Sequence, residues 1–426
     1  MVARVKARSL AVALAVVLAG CGSTAATGPI GTVAPEAASA PTGCPATVLA
    51  TLSGVLQRVY REGVHGERVG SAEYMIDHSQ ALRVALEDGN QGAARVAARA
   101  LLASGHLTDL SLMRNGRPFL SVGVPALAPL KGTLLGASGA PIASYATSVW
   151  ADNGFLLEAS GISQGLVALR AGSSWIATRS VGGNPALGSG ALASEGVVTL
   201  GHVPYTYTSF PAEAYPSGAL RVYLFFPTSS TAAFCGHTSQ DTTVNTLERV
   251  ADLIYSGELG QSAQKQLRRV QRNEALLEAV AHREPAATEV AIKALLNQHI
   301  VRIRVTVGGQ LLSDVGGPYV LAPVTAPLRL HGHTIGSVVL SIQDDEGYLR
   351  LTRRLAGLDV LMYMGAAPPL LVKDSLGPAP GPALSAVPAS GTYHSEGRDF
   401  RVFTVHAKAF PSGPLTVRVL VPFPYP

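Results

Sequence analysis

Cysteine is scarce in this 426-residue chain: there are three, and Cys21 stands apart from Cys44 and Cys235. No Cys-pair metal spacing, phosphate loop or dinucleotide fingerprint occurs. Charged residues make up only 14% and aromatics 6%. The net charge of +5 is scattered, with no basic run and no aromatic stacking pattern, which excludes a nucleic-acid footprint. Past the first residues, no apolar run approaches the roughly 20 residues a membrane helix needs. What the chain does have is 47% hydrophobic residues, enough for full cores in the two ordinary domains that its length suits. Abundant Ala, Gly and Pro, and arginine in place of lysine, point to a GC-rich genome more than to a function.

The start of the chain reads as an address. Arg4, Lys6 and Arg8 form a basic opening, Ser9 to Leu18 is apolar, and Leu18-Ala19-Gly20-Cys21 follows. The run is too short for an ordinary membrane helix and fits a signal segment over residues 1–20. Small residues before a cysteine resemble a bacterial lipobox, which implies a mature chain lipidated at Cys21. Several acyl chains on one residue hold a protein stably on a membrane, where one chain does not. Residues 21–43 are rich in Ala, Gly, Thr, Ser and Pro and read as a flexible tether. The expected location is the extracytoplasmic face of the cell membrane, with no cytoplasmic part.

Behind the tether the sequence repeats itself. Both halves, expected as domains over 44–230 and 235–426, begin at a cysteine followed by apolar residues at helical spacing. These are Leu52, Val55, Leu56 and Val59, then Leu247, Val250, Ala251 and Ile254. Further ordered pairs follow: Val122-Gly123 with Val315-Gly316, Asp152 with Asp345, and Tyr215-Pro216-Ser217-Gly218 with Phe410-Pro411-Ser412-Gly413. Each half reads as a long helix, a shorter helix and a run of strands. In the second half the expected strands are 301–307, 311–315, 328–330, 335–342, 360–364, 400–405 and 415–421. Helices leading into strands predict α+β with an antiparallel sheet.

The stretch His299-Ile-Val-Arg-Ile-Arg-Val305, then Gly308-Gly309-Gln310-Leu311, then Gly332-His333-Thr334-Ile335-Gly336 through Asp344-Asp345 resembles the Cache family of PAS-like extracytoplasmic sensor modules. Gly139-Ala-Pro-Ile142 is a worn copy in the first half. The resemblance implies two tandem PAS-like domains and a sensing role. Two features depart from the family: the anchor is lipid rather than transmembrane helices, and the Arg-x-Trp-Tyr pattern of amino-acid-binding members is missing.

Candidate site residues follow from strand alternation. Ile303 and Val305 share one face, as do Leu110 and Leu112, and that face is expected against the long helix. The other face carries Arg302 and Arg304, where the first half has Asp109 and Ser111. Two arginines favour a carboxylate or other anion, with His331, His333 and Lys373 as further candidates. The alternative is a merely solvated face. His331-Gly-His333 has no third ligand at a recognisable spacing, so no metal or other cofactor is expected. Gly161-Ile-Ser163-Gln-Gly165 matches a nucleophile-elbow string, but the architecture around it is wrong for one, so no catalytic residue is assigned and the chain is not expected to be an enzyme. Cys44 and Cys235 occupy equivalent places in an oxidising compartment, where a disulfide is permitted; two free thiols are the alternative.

The reading is therefore a tethered binding or sensor lipoprotein, with a small anionic metabolite in the second domain and a membrane receptor as partner. A ligand-free interaction module of the cell envelope is the alternative.

Overall fold

The repeat in the sequence becomes an element-by-element repeat in a computed structural model, which describes residues 42–257, 259–296, 300–365, 367–376, 381–410 and 413–425. Cys21, the tether up to residue 41, and His299 lie outside the described residues. The first half opens with α1 (Cys44–His65), then α2 (Glu67–Asp77), α3 (Gln80–Glu87) and α4 (Gln91–Ala103). Strands β1 (Asp109–Arg114), β2 (Arg117–Gly123), β3 (Ala126–Leu127), β4 (Leu130–Leu135), β5 (Pro141–Ser148) and β6 (Trp150–Ala151) follow. After α5 (Asp152–Ser163) come β7 (Leu166–Ala171), β8 (Ser174–Arg179), β9 (Glu195–Leu200), β10 (Val203–Glu213) and β11 (Ala219–Pro227).

The second half runs in the same order. It has α6 (Ser239–Gly257), α7 (Gln261–Val270), α8 (Glu274–Ala281), α9 (Pro285–Leu296), β12 (Arg302–Val307), β13 (Gln310–Gly316), β14 (Val320–Leu321), β15 (Val324–Leu330), β16 (His333–Ser341) and β17 (Gln343–Asp344). Then come α10 (Asp345–Leu351), β18 (Asp359–Met364), β19 (Leu370–Asp374), β20 (Gly391–Ser395), β21 (Arg398–Phe410) and β22 (Gly413–Phe423). The fold is α+β with antiparallel strand pairing, as expected.

The strands of each half divide between a smaller and a larger sheet, with β3 and β6 of the first half pairing apart from both. The first half has orders β2-β1-β5-β4 and β8-β7-β11-β10-β9; the second has β13-β12-β16-β15 and a seven-stranded sheet with β19-β18-β22-β21 as its body. Even irregularities repeat. A bulge in the β1–β2 pairing at Leu112/Met113 recurs in β12–β13 at Val305/Thr306. Gly123 and Gly316, at φ +122° and +137°, end β2 and β13 at the open end of each hairpin, where a Cβ would run into the backbone at Asp109 and at Val301–Arg302. Only glycine fits such a position without strain.

The helices divide the work. The apolar stripes of α1 and α6 pack together in one core with Leu220, Val222, Val360, Val417 and Val419 of the larger sheets. Full burial of each such aliphatic side chain contributes about 1.5–3 kcal/mol, so the two halves stabilise one another. The smaller sheets face the short helices instead. Leu110 and Leu112 sit with Ile76, Leu82 and Ala98, while Ile303 and Val305 sit with Leu267, Leu276 and Ile292. The expected contact of these strands with the long helix is thereby corrected: α1 and α6 are already covered by the larger sheets. The single shorter helix expected per half is three, started by capping side chains at Ser79, Asn90 and Asn273 and by Pro285 in the first turn of α9.

One polar fastening also recurs. The Tyr60 hydroxyl accepts the Glu213 N–H at 2.9 Å, and the Tyr255 hydroxyl accepts the Lys408 N–H at 3.1 Å. Each ties a long helix to the end of a long strand.

Candidate functional site

Arg302 and Arg304 do share a sheet face, but an acid of their own chain already holds them. Arg302 Nε and Nη2 donate to the two carboxylate oxygens of Asp314, both at 2.8 Å; Arg304 Nη2 donates to Asp314 Oδ2 at 2.6 Å. Arg302 Nη1 also donates to Gly317 O at 2.8 Å. Both guanidinium groups lie over the Phe410 ring, 4.9 and 4.7 Å from its centroid. Burial alone would push the Asp314 carboxyl up; the hydrogen bonds and charges of the two arginines outweigh it and hold the carboxyl below its usual range. Asp314 is thus an internal counter-charge for the pair, accepting from Nε and Nη2 of both arginines.

The other second-half candidates are not gathered there. His331 lies in the β15–β16 turn and His333 begins β16, whereas Arg302 pairs with Ser341 at the far end of β16. Eight residues of strand put His333 roughly 27 Å from that end. Lys373 sits on the other sheet, bound to Glu346. Its ammonium is held above the usual range by that hydrogen bond. Among the described residues, no three His, Cys, Asp or Glu side chains group around a possible cation.

The Gly161–Gly165 string is the C-terminal end of α5 rather than a strand-to-helix elbow. Ser163 is buried and its hydroxyl donates back to Ala159 O at 2.7 Å. Asp344 caps α10 by accepting the Gly347 N–H at 2.6 Å. Cys44 and Cys235 are joined in a disulfide, Cα atoms 5.6 Å apart across 191 residues.

In the first half the position of Arg302 belongs to Asp109, which is 1% exposed. Thr108 Oγ1 donates to Oδ2 at 3.1 Å, and Oδ1 is buried with no partner. Burial pushes this carboxyl up to about 7. The Tyr215 phenol beside it, in the place of Phe410, is pushed above its usual range by burial and then by Asp109. Asp152, also buried, is pushed up by burial as well. The same four sites thus hold Asp109, Ser111, Ser121 and Tyr215 in one half and Arg302, Arg304, Asp314 and Phe410 in the other.

A second face escaped sequence reasoning. One side of the larger first-half sheet packs on the α1–α6 core; the other carries Leu166, Ala168, Tyr207, Tyr223 and Phe225. No helix among the described residues contributes to that cluster. The segment 180–194 does, with Leu187 and Leu192 against the sheet. Trp175 Nε1 donates to Gly188 O at 2.9 Å, and Arg170 Nη2 donates to Ser189 O at 3.4 Å. Between roof and sheet is a cavity of about 340 Å³, lined by Arg170, Leu192, Leu220, Arg221 and Tyr223 among others. Arg170 and Arg221 are directly opposite one another across β7 and β11. The second half has Tyr363 and Thr416 at these places, opposite one another in the same way.

No family model matches the chain, and no characterised protein matches its sequence. Solved structures give loose likenesses. The periplasmic domain of LuxQ from Vibrio cholerae aligns with TM-score 0.30 at 9% identity, over 43% of this chain and 99% of that one. An extracellular ligand binding receptor from Desulfohalobium retbaense aligns with TM-score 0.26 at 11% identity, over 53% of this chain and 46% of that one. Likenesses this loose assign neither family nor ligand. No helix among the described residues is long and apolar enough to cross a membrane.

Proposed function

We propose that the chain is an extracytoplasmic binding lipoprotein. It is tethered through Cys21, captures a small molecule on the roofed face of the larger first-half sheet, and passes its liganded state to a membrane partner. The observation that carries this reading is the roof itself. A sheet face that is apolar at its centre is covered by a glycine-rich loop instead of a helix, and a ligand-sized cavity with buried polar groups remains beneath it. The core shared by α1 and α6 gives a route by which a change in that sheet reaches the other half, since β11 and α6 both contribute to it. The disulfide behind the leader fits an oxidising compartment. The mechanism is reversible binding with no covalent step.

Two measurements test this. Thermal unfolding of the mature, disulfide-bonded chain is followed against a panel of small metabolites; a saturable rise in melting temperature is expected. A flat response across the panel, with a membrane partner still captured, would replace this reading with a ligand-free interaction module. Cell fractionation tests the anchor: the chain is expected with membranes, and Cys21→Ser is expected to release it.

A further inference from the structure

Arg170 stands out on electrostatic grounds. It is 5% exposed, and Nη2 is its only hydrogen-bonded nitrogen among the described residues, shared between Ser173 O at 3.3 Å and Ser189 O at 3.4 Å. Nε is buried without a partner. One face of its guanidinium rests on the Trp175 ring, 4.8 Å from the centroid. Arg221 opposite it donates only to Ser209, from Nε to Oγ at 3.2 Å and from Nη2 to Oγ at 2.9 Å. Among the described residues neither arginine forms an ion pair. Like charges placed directly opposite on neighbouring strands repel, and a buried charge without a counter-ion is costly. At Arg302 and Arg304 the chain supplies its own counter-charge to such a pair: Asp314 forms an ion pair with both. The cavity at Arg170 and Arg221 has no acid in its lining.

We infer that the missing counter-charge comes from a ligand, and that this cavity binds a small organic carboxylate. This rests on the reading of the roofed sheet as a binding face and adds the ligand's chemistry. Two guanidinium groups with free donors suit a carboxylate through charge-assisted bonds. Gly172, Leu192, Leu220, Ala191, Ala219 and the Tyr223 ring complete the lining and suit an apolar body. A bare inorganic anion would leave that apolar surface unfilled. At about 340 Å³ the cavity lies at the small end of ligand pockets, which limits the acid to a small one.

Titration calorimetry on the mature, disulfide-bonded chain tests the assignment, with benzoate and hexanoate against benzamide, hexanamide and inorganic phosphate. At least one acid is expected to saturate, with its amide and phosphate roughly tenfold weaker or more. Arg221→Gln, at a half-buried position that should tolerate it, is expected to weaken that acid by a similar factor; Arg170→Gln provides the second variant. Equal binding of acid and amide, tighter binding of phosphate, or an unchanged Arg221→Gln would each overturn the carboxylate. If a neutral metabolite of the panel saturates while both acids fail, the anion is wrong and the binding face stands. If nothing of either kind binds, both fall.

Discussion

Replacing Asp109 with asparagine removes one buried carboxyl and little else in size or shape. The folded chain raises this group from 3.8 to about 7, chiefly by burial. Between those two values the folded state keeps a proton that the unfolded state has released. Stability therefore falls as pH rises through this window, because the unfolded state binds fewer protons. The size of the rise corresponds to about 4 kcal/mol at most. The substituted amide cannot ionise, so the variant's curve lacks this slope, although the new N–H groups lack an acceptor at a cost of about 1–3 kcal/mol. At pH 4 the variant is expected to be less stable than the parent; near pH 8 it is expected to be more stable. Urea unfolding of both chains at half-unit steps from pH 4 to pH 8 reads this directly, since titrating groups that do not interact with Asp109 cancel in the difference. A difference constant across the range to within about 0.5 kcal/mol would refute the buried, raised carboxyl.

Reducing the Cys44–Cys235 bond opens a loop of 191 residues and is expected to lower stability by about 2–4 kcal/mol; Cys44→Ser with Cys235→Ser should give the same urea midpoint and lose its sensitivity to reductant. Asp314→Asn leaves Arg302 and Arg304 facing one another with no counter-charge, for an expected loss of about 2–3 kcal/mol by thermal unfolding. Because Asp314 is held below its usual range, the stability it contributes is present at neutral pH and is lost as pH falls through the acid range. Gly123→Ala and Gly316→Ala should cost similar amounts, about 1–3 kcal/mol each, since both residues meet backbone at the same positive-φ strand end of the repeat. Very unequal losses would argue against equivalent hairpins.

The repeat and the long helices were legible because their signals are local. Apolar spacing on α1 and α6, and pairs such as Val122-Gly123 with Val315-Gly316, need no knowledge of partners. Two-residue strands such as Val320–Leu321, and the edge strands Leu370–Asp374 and Gly391–Ser395, carry too little pattern to stand out. Alternation shows which residues share a face but not which strands share a sheet, so the division into two sheets was hidden. Asp314 shows the limit most clearly. Counting back from a turn at Gly308-Gly309 sets Asp314 opposite Ile303, on the packing face. The bulge between Val305 and Thr306 shifts it opposite Arg304, where it neutralises the pair. Arg170 and Arg221 are separated by three strands and the 180–194 roof, and nothing local announces that they meet. Asp109 and Arg302 were visibly different residues at one repeated position, but their burial was not.

Hydrogen exchange of the mature chain with and without a saturating carboxylate tests the central claim most directly. New protection is expected in the 180–194 roof and in β7 and β11, around Arg170 and Arg221. Protection centred instead on Arg302 and Arg304, or no change anywhere in the first half, would contradict the account.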